Sequence, residues 1–121
     1  MSCYFQTKKT ALWNPSNAVA RIFTEQIETV SQILGVDSGL THIIEDECEI
    51  DGALFVPFAN LLRERLSTTN NLALRALLQG VSDVCTVIAY RGDWDLTPEF
   101  REMNPWQETH ERIAWSMPVG Q

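Results

Sequence analysis

Basic residues are scarce in this chain. Nine Lys and Arg stand against 16 Asp and Glu, a formal charge of −7 with a pI near 4.7. That balance argues against a general affinity for nucleic-acid phosphates or anionic membrane, and toward a cationic or weakly charged partner. Long apolar runs are missing as well. No stretch reaches the ~18 uncharged apolar residues of a membrane span, and the opening Met1-Ser2-Cys3-Tyr4-Phe5-Gln6 lacks the charged-then-apolar order of a signal peptide, so a cytoplasmic setting is expected. Cysteine is limited to Cys3, Cys48 and Cys85, without a CxxC, which fits reduced thiols rather than a disulfide framework or a zinc site. Cys48 and Cys85 fall on apolar faces, leaving Cys3 as the more exposed of the three. Histidine is limited to His42 and His110, each expected at the surface or in a cap. No phosphate loop, dinucleotide fingerprint, Gly-x-Ser-x-Gly or calcium-loop spacing occurs, so no cofactor and no metal is called for.

What is present is enough for a core: 121 residues, 45% of them hydrophobic, make one domain's worth of chain. Residues 3–13 set two apolar-aromatic stretches around Gln-Thr-Lys-Lys-Thr and predict a short hairpin. Asn14 and Pro15 read as N-cap and first residue of a helix that runs to Leu34 and stops at Gly35. Its apolar stripe is Val19, Ile22, Phe23, Ile27, Val30, Ile33 and Leu34. Leu40, Ile43, Ile44 and Cys48 predict a short helix near 40–48. Asp51 caps a helix over 52–67, in which Pro57 calls for a kink or a later start. After the break Thr68-Thr69-Asn70-Asn71, the stretch Leu72 to Tyr90 is apolar on nearly every side, as expected for a central helix near 70–90. It is too apolar for a three-helix layer to cover, so either the remaining chain folds over it or two copies pair, and a homodimer is expected. From Arg91 onward, Gly92, Pro98, Pro105 and Pro118 punctuate an irregular tail holding three of the four tryptophans. Those rings are expected to pack back across the helices, the alternative being a contact surface. The fold class is therefore mainly α: three to four helices, a short N-terminal hairpin (1–13), a helical core (14–90) and an irregular tail (91–121).

Acidity is local. Asp37, Glu45, Asp46, Glu47, Glu49 and Asp51 place −6 of the −7 between residues 37 and 51, with no Lys or Arg among them. If 42–49 is helical, His42, Glu45, Asp46 and Glu49 converge on one face, a geometry suited to acid/base catalysis or a divalent metal. The bland reading is a solvated acidic face.

Three strings carry a resemblance: Leu12-Trp13-Asn14-Pro15-Ser16-Asn17-Ala18-Val19-Ala20-Arg21, Leu34-Gly35-Val36-Asp37-Ser38-Gly39-Leu40, and Asp46-Glu47-Cys48-Glu49-Ile50-Asp51. Over residues 3–90 the chain resembles a family of small uncharacterised actinobacterial proteins. That resemblance implies a bacterial cytoplasmic setting and no particular reaction. It draws Trp13, Asn14, Asn17, Arg21, Asp46, Glu47 and Asp51 together as one polar constellation, in which Arg21 pairs Asp46 or Glu47 and locks the acidic loop. Two functions follow. One is a binding or regulatory protein, immunity-like, that engages a basic partner through the acidic 37–51 face. The other is a small helical enzyme or small-molecule-binding bundle, with Asp46, Glu47, Glu49 or His42 as acid/base groups and Trp13 as a wall.

Overall fold

The computed structural model describes residues 2–94 and 98–120. Strands β1 (Tyr4–Gln6) and β2 (Ala11–Trp13) form the expected hairpin, with Phe5 opposite Trp13. Its turn needs no Asn-Gly because the Thr7 hydroxyl accepts from the backbone N–H groups of Lys9 and Thr10. Helix α1 (Asn17–Leu34) ends at Gly35, whose φ of 72° is the left-handed stop that glycine supplies. Its cap is Ser16 rather than Asn14: the Ser16 hydroxyl accepts from Val19 N–H. Asn14 and Pro15 stay extended because the sheet margin claims them. Cys3 N–H donates to Pro15 O at 3.0 Å, and Asn14 N–H donates to Pro118 O at 2.6 Å.

The helix predicted near 40–48 does not form. That segment is a second hairpin: Leu40 bridges Ile50, Ile44 and Glu47 exchange both backbone hydrogen bonds, and Glu45 and Asp46 turn the chain at φ 52° and 62°. Strand β3 (Glu47–Glu49) on the returning limb pairs in parallel with β1, giving the sheet order β2-β1-β3. Cys48 and Ile50 point into the core while Glu47, Glu49 and Asp51 point out. This period of two outweighs the helical spacing of the segment's four apolar residues.

Helix α2 (Gly52–Thr68) starts at Asp51, whose carboxylate accepts from Ala53 N–H at 3.0 Å, and it runs on through Pro57, which lies on the exposed side. Helix α3 (Leu72–Gly92) starts at Asn71 in the same way. Mainly α is therefore the fold class. The tail is more regular than predicted, with α4 (Pro98–Met103) and α5 (Glu108–Trp115) joined by a short turn.

Of the three tryptophans expected to pack back, Trp94 does so against Phe55, whereas Trp106 stays partly exposed and Trp115 stands 85% exposed; the rest of the tail returns onto the helices. Phe100 and Met117 are buried, the Tyr90 hydroxyl donates to Asn104 O, and the Asn104 amide donates to Asn60 Oδ1. Trp94 wedges between the first residue of α2 and the last of α3. A Cβ on Gly52 would lie 2.2 Å from its Nε1, and one on Gly92 would lie 2.8 Å from its ring, so only glycine fits at either place. His110 is buried rather than at the surface. Its Nδ1 accepts from Gln107 N–H, which leaves Nε2 to donate to Asp83 Oδ1 at 3.2 Å, tying α5 to α3. Arg91 closes the assembly: its guanidinium donates to Leu12 O, Ala114 O and Met117 O at 2.7 to 3.0 Å. Under the sheet, Phe5 stacks on Trp13 at 5.4 Å and both rings meet Phe23 edge-on.

Candidate functional site: an acidic strap and its cleft

The second hairpin holds the acidic residues away from the core as a strap. Backbone hydrogen bonds fix it to β1, through Tyr4 N–H to Asp46 O and Ile50 N–H to Gln6 O, and Asp51 N–H to Gly39 O closes its base just before α2. Asp37, Glu45, Asp46, Glu47, Glu49 and Asp51 are all exposed, and no ion pair among the described residues involves them. Two have local work: Asp51 caps α2, and Asp37 Oδ1 accepts from Gly39 N–H at 2.8 Å. At the tip, Glu45 and Asp46 hold left-handed backbone that side chains other than Asn, Asp and Gly adopt reluctantly.

Between the strap's outgoing limb and α1 lies a cleft of about 340 Å³. Glu25, Glu28, Asp37 and His42 stand around it, and Ile27, Leu40 and Ile43 line it with apolar surface. Sequence reasoning missed Glu25 and Glu28. Their three-residue spacing on one helix is visible in sequence, but nothing there pairs that helix with residues 37–43. Carboxylates around an apolar lining suit a long cationic side chain, whose methylenes lie on Ile27 and Ile43 while its charge stays among the acids.

The predicted convergence of His42, Glu45, Asp46 and Glu49 is not seen, because the segment is extended and disperses them. His42 lines the cleft, Glu45 and Asp46 make the turn, and Glu49 lines a different hollow with Lys8, Lys9 and Trp94. Among the described residues no three His, Cys, Asp or Glu side chains are grouped as metal ligands would be. Arg21 does not reach the strap; it donates to Glu25 one turn along α1 at 3.1 Å, both side chains exposed. The lock expected of Arg21 is supplied by the backbone ladder instead. Asn17 is exposed at the first turn of α1. Trp13 and Asn14 lie inward, and Trp13 Nε1 and Asn14 Oδ1 are buried without a partner among the described residues.

Beneath the strap the thiols sit in an environment hostile to thiolate. Burial, then the nearby Asp46 and Glu47, push the Cys3 thiol up, and Cys3 is buried rather than the exposed cysteine of the three. Burial and the neighbouring Cys3 push Cys48 up to about 11, against a hydrogen bond from its thiol to Thr41 O. These cysteines are packing groups.

A family model matches the chain from residue 1 to residue 119, tail included. The chain belongs to the family of unknown function DUF6086. The match runs past residue 90 and so takes in the tail. No curated protein and no solved structure matches the chain.

Proposed function

We propose that this DUF6086 member is a small acidic binding or regulatory protein, acting in the manner of an immunity protein, that occupies a basic partner through the 37–51 strap and the cleft beside it. The carrying observation is that six exposed carboxylates on one backbone-braced strap have no ion-pair partner among the described residues. Like charges crowded on one surface repel, and a basic partner relieves that repulsion while gaining long-range steering. The setting we propose is the cytoplasm of an actinobacterium, in keeping with three unpaired thiols.

The test is calorimetric titration with a lysine-rich peptide at rising salt. It compares Glu45→Gln/Glu47→Gln/Glu49→Gln with a control of equal net charge, Glu64→Gln/Glu99→Gln/Glu102→Gln. The strap variant is expected to lose most of the binding and its salt dependence while the control keeps both. Equal losses in the two variants would mean that net charge alone attracts the peptide, and the reading would fail.

A further inference from the structure

Away from the strap, α1 and α3 leave a long apolar groove between them. It consists of two adjoining hollows of about 490 and 280 Å³ that share Ile22, Gln26, Leu77 and Val81. On its shoulders Ile22 is 59% exposed, Ile33 65% and Leu77 74%, unusually open for large aliphatic side chains. We infer that this face is where a second copy of the chain docks, α1 and α3 of one molecule packing on α1 and α3 of the other to form a four-helix layer.

Three observations select a second copy over other occupants. The first is area. A folded monomer of this mass exposes about 6,600 Å², whereas this chain exposes 7381 Å². The excess of roughly 800 Å² matches in size what one partner contributes to a standard interface, and the open Ile22, Ile33 and Leu77 are part of it. The second is charge. The acidic strap of each copy lies elsewhere, Glu25 is the one ionisable side chain lining the groove among the described residues, and Arg21 pairs with it. Copies can therefore meet here with little repulsion, and a cationic partner gains little. The third is shape. A two-fold contact sets one patch against itself, so that patch must carry both projections and recesses. Ile22, Ile33 and Leu77 project. Ala76 and Gly80 on the same helix give the recess, and a Cβ on Gly80 would meet nothing within 4 Å.

The test is sedimentation equilibrium on the full chain, with Leu77→Glu and Ile22→Glu beside a control, Trp115→Glu, that charges the 85% exposed tryptophan of α5. The expected result is twice the 13.7 kDa chain mass, with each groove variant weakening self-association by roughly 30-fold or more and the control leaving it unchanged. Circular dichroism should show all three variants folded, since each altered side chain is exposed. A monomer at high micromolar concentration would overturn the proposal, as would a dimer broken by Trp115→Glu and not by Leu77→Glu. A monomer whose enhancement of anilinonaphthalene sulfonate fluorescence vanishes in Leu77→Glu would also overturn it, by assigning the groove to a non-self apolar ligand.

Discussion

The two halves of α3 are nearly alike in apolarity and differ in what covers them. From Val81 to Ala89 every residue but Val84 is buried, the polar Ser82, Asp83 and Thr86 included; from Leu72 to Gly80 none is, and Leu77 stands in solvent. The difference comes from the length of the cover. Helix α3 has 21 residues and is about 32 Å long, whereas α5 has 8 and spans about 12 Å. The tail returns onto the C-terminal half, where His110 reaches Asp83, and is too short to shield the rest. A hydropathy profile therefore records which surface needs covering, not whether its own chain covers it.

The contrast breaks first if deletions in the two halves cost alike. Ile88→Ala, at a fully buried site, is expected to cost about 3 kcal/mol in urea unfolding. Next, alkaline pH sharpens it through Cys85, whose thiol burial in the covered half pushes far above its ordinary value of 9.0. The folded chain keeps that thiol neutral while the unfolded chain ionises it, so the stabilisation is whole below pH 9 and declines above it. Each buried thiol accounts for a loss approaching ~1.4 kcal/mol per pH unit, and Cys85→Ala is expected to remove one such share from the difference between urea midpoints at pH 8 and pH 10. The smallest effect belongs to the uncovered half. Leu72→Ala, at 76% exposure, is expected to change stability by less than about 0.5 kcal/mol, and a cost near that of Ile88→Ala would refute the comparison.

Much of this fold was legible because it is written in short-range signals. Gly35, Asp51 and the Asn70-Asn71 pair punctuate the three long helices within two residues of where they start and stop, since caps act on adjacent backbone. The strap was misread because Leu40, Ile43, Ile44 and Cys48 satisfy helical spacing. The deciding fact, a vacant edge on β1 that accepts Glu47–Glu49, lies more than 40 residues away. The stripe of α1 was legible as residues but not as a width. Phe23, Ile27 and Val30 are buried, whereas Val19, Ile22 and Ile33 remain at the surface, because the position of α3 decides how far burial reaches. The cleft combines both difficulties. Its carboxylates come from separate segments, and only their juxtaposition makes Glu25 and Glu28 neighbours of Asp37 and His42.

Arg91 has a consequence for how the molecule opens. Its three acceptors lie in the N-terminal hairpin, at the end of α5 and beyond it, and the nearest of them in sequence is 23 residues away. If either end of the chain peels off, the partly buried guanidinium loses acceptors that water replaces only in part, which raises the cost of opening locally. The N-terminal strands and α5 are thus expected to open as one cooperative unit. Amide protons in β2 and α5 should exchange with solvent together, although about 100 residues of chain separate them.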